Sequence, residues 1–268
     1  MSKPAEGERL QKVLARAGLG SRRAVEEMIG QGRIEVNGET AHLGQRVDPA
    51  KDEVIVDGSK FPLRADLVYY LVNKPAGVVS SAADPEGRPV VVDLVDPGTR
   101  VWPVGRLDVQ SEGALILTND GDLALLLTHP RYGVPKTYVA EVSGRVGREA
   151  VAELRAGVRL GDAVTAPAQV RVGDKVEGAT LLELTLTEGR NRQVRRMCEA
   201  VGHDVKRLVR VAIGPLELGR LKPGSYRKLS PVEVQSLYRA AGQGMSDFVD
   251  KSTARNAAEP QYSNDRDS

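Results

Sequence analysis

The stretch from Val104 to Gly121 constrains the fold of this chain more than any other. It starts as a charged loop, Val104-Gly105-Arg106-Leu107-Asp108, continues into four consecutive apolar residues, Ala114 to Leu117, and ends in the turn Thr118-Asn119-Asp120-Gly121. An apolar run between turn signals indicates a buried strand, and a glycine-led loop before it can direct one carboxylate into a cleft. We therefore predict that Asp108 is a reactive group. Taken alone, the loop residues favour a surface ion pair between Arg106 and Asp108.

Composition narrows the class of protein. A length of 268 residues with 41% hydrophobic content suits one large or two modest domains. No apolar run has membrane-spanning length and the first eight residues are polar, so we expect a cytoplasmic protein without membrane contact. A single cysteine, Cys198, excludes an internal disulfide and a cysteine-clustered metal site. HExxH, P-loop and Gly-x-Ser-x-Gly patterns are absent, so we predict no cofactor and no metal.

The N-terminal 60 residues predict two helices followed by a small antiparallel sheet. The 3.6-residue period predicts a helix over Arg9 to Ala17, with Arg9, Lys12 and Arg16 on its polar face. Ser21 predicts the N-cap of a second helix, whose first turn carries Arg22 and Arg23. Cations there oppose the helix dipole, which favours an RNA phosphate docked between them; solvent exposure, offset by nearby glutamates, is an equal alternative.

The rest of the chain predicts a second domain. Residues 61–66 read as a linker, a strand over Val68 to Asn73 follows, and further strands over 137–142 and 180–187 flank a helix over 149–156. Without a Gly-x-Gly-x-x-Gly fingerprint, a mixed, largely antiparallel α+β sheet fits better than a doubly wound fold. We predict domains at 1–64 and 65–240, and a polar, disordered tail at 241–268.

A basic segment between Leu186 and Arg210 indicates a nucleic-acid surface. It contains seven cations against three carboxylates, although the whole chain balances 38 basic residues with 36 acidic ones. Such a patch matches a phosphate backbone, and a solvated helix face is the alternative. The cations are Arg190, Arg192, Arg195, Arg196, Lys206, Arg207 and Arg210.

Four blocks in this order resemble the RsuA/RluB-type ribosomal RNA pseudouridine synthases. They are residues 71–81 (LVNKPAGVVSS), the Val104–Asp108 loop, Pro135-Lys136-Thr137-Tyr138, and residues 188–197 (EGRNRQVRRM). Residues 8–60, with Leu19-Gly20-Ser21-Arg22-Arg23, resemble an S4 RNA-binding domain. The resemblance extends over residues 8–238 and is nearer to the RluB branch, which acts on large-subunit ribosomal RNA.

The resemblance implies a role for each site residue. Asp108 would be the essential carboxylate, as nucleophile or as base, and Arg195 would hold it bidentately. Tyr138 would stack on the uracil and help to remove the C5 proton, with core packing as its alternative. Arg106 would fill the space left by a flipped base or bind a flanking phosphate, with a structural ion pair as its alternative. Lys74 would touch RNA or, preferably, support the loop; Arg190, Arg192 and Arg196 would bind phosphates.

The implied partner is ribosomal RNA, free or in precursor particles, bound by a monomer. Two other functions stay open. A non-catalytic ribosome-assembly factor would need only the S4-like domain, yet Asp108, Tyr138 and Arg195 are all present. A hydrolase that cleaves the glycosidic bond would need a second carboxylate, for which the sequence shows no obvious position.

Overall fold

The computed structural model describes residues 7–49, 51–61, 63, 67–96, 98, 100–161 and 163–242. The predicted tail therefore lies outside the described residues, except for Ala241 and Gly242, which are helical and not disordered. Most of the predicted linker is outside them as well. None of the helices within the described ranges combines the length and apolarity needed to cross a membrane.

The N-terminal unit contains the two predicted helices and short strands. Ser21 caps the second helix, because its Oγ accepts a hydrogen bond from the backbone N–H of Ala24 at 3.1 Å. The elements are β1 (Glu8–Arg9), α1 (Leu10–Arg16), α2 (Arg22–Gly30), β2 (Ile34–Val36), β3 (Glu39–Thr40), β4 (Arg46–Val47), β5 (Val54–Val56) and β6 (Ser59–Phe61). The sheet order is β3-β2-β5-β6, all antiparallel, and β1 pairs with β4.

The C-terminal unit is built on one nine-stranded sheet. Its first half comprises β7 (Tyr69–Lys74), β8 (Trp102–Pro103), β9 (Glu112–Thr118), α3 (Gly121–Thr128), β10 (Lys136–Ser143), α4 (Arg148–Ala156), β11 (Arg159–Leu160) and β12 (Ala163–Val164). Its second half comprises β13 (Gln169–Val176), β14 (Ala179–Leu186), α5 (Gln193–Ala200), β15 (Val205–Ile213), β16 (Leu216–Glu217), β17 (Tyr226–Lys228) and a helix over residues 231–242. Short 3₁₀ turns occupy Val91–Leu94 and Pro130–Tyr132.

The sheet topology confirms the predicted mixed, largely antiparallel α+β architecture. The strand order is β13-β14-β10-β15-β9-β7-β17, with β8 and β16 paired to β9 and β15. Every described pair is antiparallel except β15 with β9. In the strand order, this parallel pair joins strands β13, β14, β10 and β15 to strands β9, β7 and β17. The loop that enters β9 therefore lies beside residues of β15 and β10.

Strand β9 is buried on both faces, which explains its four consecutive apolar residues. Ala114 and Ile116 belong to one hydrophobic cluster, with α3 and the helix over 231–242, whereas Leu115 and Leu117 belong to another on the opposite face. Successive side chains of a strand point to opposite faces, so a strand covered on both sides needs no polar alternation. The loop before β9 is thereby attached to a rigid element.

Candidate active site

A cleft of about 490 Å³ opens where the loop before β9 meets β10, β15 and the segment leading into α5. Asp108 and Arg106 reach it from the loop, Tyr138 from β10, and Arg190 and Arg192 from the segment before α5. The structure thus brings together residues from three of the four sequence blocks. A volume of this size falls in the range of clefts that hold small-molecule and nucleotide-sized ligands.

The backbone on both sides of Asp108 is fixed by its surroundings. The buried hydroxyl of Ser80 donates to the carbonyl of Leu107 at 2.8 Å and accepts from the N–H of Leu107 at 3.0 Å. The carbonyl of Val109 accepts from the N–H of Gly77 at 2.8 Å. The half-buried carboxylate of Asp108 makes no hydrogen bond of its own with any residue that the structure describes. Its position is therefore set by the loop, and the carboxylate stays available for chemistry.

Lys74 is buried beneath this loop and contacts its backbone. Its side chain is 0% exposed, and its Nζ donates to the carbonyls of Pro75 at 2.9 Å, Val78 at 2.8 Å and Val109 at 3.3 Å. Burial lowers the pKa of Lys74 to about 8, although the negative charges of Glu112 and Asp108 act to raise it. A fully buried ammonium group that binds three carbonyls is the arrangement expected for loop support, the preferred alternative, and it leaves no exposed cation at Lys74 for an RNA phosphate.

Arg195 lies near Asp108 without the expected bidentate ion pair. Its Nη1 donates to the carbonyl of Val205 at 2.9 Å and its Nη2 to the carbonyl of Gln110 at 3.2 Å. Its Nε is buried and has no partner in the described ranges. Burial and the charge of Arg192 lower the pKa of Arg195, and the negative charge of Asp108 opposes that shift. Arg195 therefore fixes the loop two residues beyond Asp108 and acts on the carboxylate through its charge.

Tyr138 stands on β10, half-buried at the edge of the cleft. Its ring packs against two of the hydrophobic clusters, and its hydroxyl makes no hydrogen bond with the described part of the chain. The alternative of a core tyrosine therefore agrees with the packing of the ring, but among the described residues its hydroxyl lacks the hydrogen bond that this alternative requires. The free hydroxyl remains available to a ligand in the cleft.

The basic segment does not form one continuous surface. Arg190 and Arg192 are exposed and line the cleft, and Arg192 has a left-handed backbone, with φ of 49°, where the chain turns into α5. Arg196 is half-buried on α5 and lies outside the cleft lining. Arg207 is paired with Glu112 at 2.8 Å, and Arg210 is buried. The predicted excess of positive charge is thus divided among the cleft wall, the interior and the surface outside the cleft, where Lys206 and Arg207 are exposed.

The cations of the N-terminal unit fall into two groups. Lys12 pairs with Glu8 at 3.4 Å and with Asp122 at 2.5 Å, and Arg16 pairs with Glu8 at 2.9 Å. Arg9, Arg22 and Arg23 are exposed, and none has a hydrogen-bond or ion-pair partner among the described side chains. A second cleft of about 320 Å³ contains Lys12, Arg16 and Arg22 together with Arg100 and Trp102.

Sequence reasoning missed three residues of the site. Ser80 and Lys136 lie within the sequence blocks, at positions where the residue type alone gave no role, and Arg210 was counted only as part of the basic segment. Lys136 and Arg210 line the main cleft beside Tyr138. Within the described residues, no group of three histidine, cysteine or carboxylate side chains is placed to hold a metal ion. Cys198 is buried on α5, and burial raises the pKa of its thiol to about 12.

Comparisons with known proteins match both units. Residues 68–200 match the family model described as RNA pseudouridylate synthase, and residues 8–54 match the S4 domain. An uncharacterized RNA pseudouridine synthase of Mycobacterium tuberculosis (strain H37Rv) is 47% identical over 246 residues, covering 90% of this chain and 97% of the relative. The ribosomal large subunit pseudouridine synthase B of Bacillus subtilis is 45% identical over 245 residues, covering 90% and 100%.

A solved structure agrees with these matches. A crystal structure of a pseudouridylate synthase is similar with a TM-score of 0.62 and 30% identity, covering 85% of this chain and 99% of that chain. The match therefore includes residues from both the N-terminal and the C-terminal units.

Proposed function

This chain belongs to the RNA pseudouridylate synthase family and is an isomerase that acts on RNA, and we propose that its substrate is a uridine of large-subunit ribosomal RNA. The name of the Bacillus subtilis relative, ribosomal large subunit pseudouridine synthase B, supports this choice of substrate. The reaction breaks the bond between N1 of uracil and C1′ of ribose and forms a bond between C5 and C1′. C5 loses a proton and N1 gains one, so no redox cofactor is needed.

Asp108 is the proposed essential carboxylate. Ionised, it either attacks C1′ as a nucleophile or removes the proton from C2′ to give a glycal, and both routes remain open. Among the described residues its carboxylate has no hydrogen-bond partner, and it interacts electrostatically with Lys74 and Arg195. The single observation that carries the proposal is this free carboxylate on a fixed loop in a cleft shared with Tyr138.

Base flipping is the proposed route by which uridine reaches Asp108. A stacked base cannot enter the cleft, so the target nucleotide must leave its stack at a cost of a few kcal/mol. Arg106 is exposed at the cleft and, in the described part of the chain, has no ion-pair partner, which suits it to fill the vacated space or bind a flanking phosphate. Tyr138 would stack on the uracil and assist removal of the C5 proton.

Phosphate binding is assigned to the exposed cations of both units. Arg190 and Arg192 lie at the cleft, and Arg9, Arg22 and Arg23 are unpaired with the described residues of the N-terminal unit. Arg196, half-buried outside the cleft, would contact RNA only beyond the target nucleotide. Lys12 and Arg16 would have to exchange a carboxylate partner for a phosphate. The proposal places a monomer on ribosomal RNA, free or in precursor particles, in the cytoplasm.

Tritium release tests the proposed function directly. Large-subunit ribosomal RNA that carries tritium at C5 of uridine is incubated with the purified full-length protein and with Asp108→Asn. We expect release with the unchanged protein and background release with Asp108→Asn, because the amide can neither attack C1′ nor remove a proton. Asp96→Asn is the matched control, since Asp96 is exposed and outside the cleft.

Three other outcomes would contradict the proposal in whole or in part. Tight RNA binding without release, from free RNA and from precursor particles, would favour an assembly factor. Free uracil as the product would favour a hydrolase. Release from small-subunit RNA alone would overturn the choice of substrate and leave the chemistry in place.

A further inference from the structure

Arg210 is a buried residue that lines the floor of the cleft. It stands on β15 between Tyr138 of β10 and Gly113 of β9, its partners in the strand registers. The side chain is 2% exposed, and its Nε donates to the carbonyl of Ala114 at 2.7 Å. Its Nη2 is buried and has no hydrogen-bond partner within the part of the chain that the structure describes.

An unpartnered guanidinium nitrogen of this kind is costly. Native proteins satisfy most buried polar atoms, and a charged group left without an acceptor carries a larger penalty than a neutral one. Among the described residues, four buried side-chain atoms lack partners, and two of them, Nη2 of Arg210 and Oγ of Ser111, belong to residues that line this cleft. The cleft floor therefore presents hydrogen-bonding capacity that the protein itself does not use.

Lys136 supplies a second cation to the same floor. It stands on β10 two residues before Tyr138, and its Nζ donates to the carbonyl of Val134 at 3.0 Å, which leaves further N–H groups available. Burial and the neighbouring charge of Arg210 lower the pKa of Lys136 to about 8. No carboxylate of the described chain forms an ion pair with Lys136 or Arg210. The cleft floor thus carries two neighbouring cations that are shielded from water, an arrangement suited to bind a negatively charged group.

We propose that Arg210 and Lys136 bind the carbonyl oxygens of the target uracil and stabilise the negative charge that the base acquires during the reaction. This inference rests on the proposed function. When the N1–C1′ bond breaks, its electron pair stays on N1 and is delocalised onto O2 and O4 of the ring. The base then rotates, and C5 forms its bond to C1′ as the bond between C1′ and Asp108 breaks or, on the glycal route, as C2′ regains its proton. The C5 proton then leaves and N1 takes up a proton. Both routes open to Asp108 pass through this anion.

Burial favours the base over a phosphate as the ligand. Arg106, Arg190 and Arg192 are exposed around the cleft and can meet a hydrated phosphate there, whereas Arg210 lies on the buried floor. Fixed donors in a water-poor site act most strongly on charge that develops in the transition state, and loss of one such donor typically costs about 10²–10³ in rate.

The test compares uridine with 5-fluorouridine in the same RNA under single-turnover conditions. Fluorine withdraws electrons from the ring and stabilises the uracil anion without help from the protein. We expect Lys136→Met and Arg210→Gln to slow consumption of uridine by about 10²-fold, and to slow consumption of 5-fluorouridine several-fold less. Lys136→Arg, which keeps the charge, should recover part of the uridine rate.

Controls separate this inference from misfolding and from the proposed function. Lys222→Met and Arg220→Gln change exposed cations outside the cleft and should leave both rates unchanged. Lys136 is only half-buried, so Lys136→Met keeps the test decisive if Arg210→Gln unfolds. Equal losses on both substrates, or weaker RNA binding at an unchanged rate, would overturn the inference. Absence of uridine isomerisation by the unchanged protein would instead overturn the proposed function.

Discussion

At the scale of single residues, the position of Asp108 depends on groups that hold its neighbours. Ser80 satisfies both backbone groups of Leu107, Lys74 and Gly77 bind the carbonyl of Val109, and Arg195 binds the carbonyl of Gln110. The reactive carboxylate thus needs no hydrogen-bond partner within the protein. Such a partner would compete with the substrate. Preorganisation of this kind removes the need to order the loop during the reaction.

We predict that Ser80→Ala slows the chemical step and leaves RNA affinity nearly unchanged. Both backbone groups of Leu107 lose their partner, so the loop that carries Asp108 loosens, and we expect about a 10-fold lower single-turnover rate. Loss of these buried hydrogen bonds should also lower the free energy of unfolding by about 1–3 kcal/mol. Rates, RNA titrations and urea unfolding measure the three quantities.

The matched control for Ser80 is Ser236→Ala. The hydroxyl of Ser236 also donates to a backbone carbonyl, that of Glu233 at 2.7 Å, but on the C-terminal helix outside the cleft. Its rate should equal that of the unchanged protein. An unchanged rate for Ser80→Ala as well would show that Leu107 does not need this clamp.

At the scale of elements, the parallel pair of β9 and β15 unites the cleft. It places Gly113 beside Arg210, and antiparallel pairing with β10 places Arg210 beside Tyr138. The backbones approach closely at Gly113, where a Cβ atom would lie 2.2 Å from the carbonyl oxygen of Arg210. Gly113 also has φ of 107°, which residues with a side chain rarely adopt. A glycine is therefore required where the loop becomes β9.

We predict that Gly113→Ala destabilises the protein by about 3–5 kcal/mol, through the steric overlap and the strained backbone together. The loss should appear in urea unfolding as a lower midpoint. Gly30→Ala is the control, since Gly30 ends α2 with no heavy atom within 4 Å of the added Cβ and without a positive φ. It should change stability little or raise it. A midpoint for Gly113→Ala equal to that of Gly30→Ala would contradict the required close approach.

At the scale of the whole molecule, net charge conceals how the surface is arranged. The formal charge is only +2, yet Arg22, Arg23 and Arg192 are exposed and have no ion-pair partner among the described residues. Carboxylates neutralise other cations, as Glu8 and Asp122 do for Lys12. RNA affinity should therefore come from a few unpaired arginines distributed over both units.

We predict that Arg22→Ala combined with Arg23→Ala weakens RNA binding and reduces its salt dependence. If each arginine neutralises one phosphate, the slope of log affinity against log salt should shrink by about 1.4–1.8 in total. Fluorescence anisotropy with labelled RNA across a salt series measures the slope. Arg33→Ala is the control because Arg33 is paired with Asp57 at 2.6 Å, and its slope should stay unchanged. An unchanged slope for the double variant would mean that these arginines are exposed to solvent and do not bind RNA phosphates.

The sequence by itself determined the local elements and the architecture. The apolar run Ala114 to Leu117 and the cap at Ser21 each act through neighbours a few residues away, and each appears in the structure as predicted. These features follow from strand and helix periods and from capping, which local sequence specifies. The sequence blocks also sufficed to indicate the family.

Only the tertiary structure decided which cations face solvent and which serve the interior. Lys74, Arg207 and Arg210 look alike in the sequence, but one clamps a loop, one pairs with Glu112 and one is buried at the cleft, where its Nη2 has no hydrogen-bond partner among the described residues. Arg195 likewise binds carbonyls instead of the expected carboxylate. The partners of Arg207 and Arg210 lie 95 and 96 residues away in the chain. Burial and pairing depend on such long-range contacts, which residue type and local spacing do not specify.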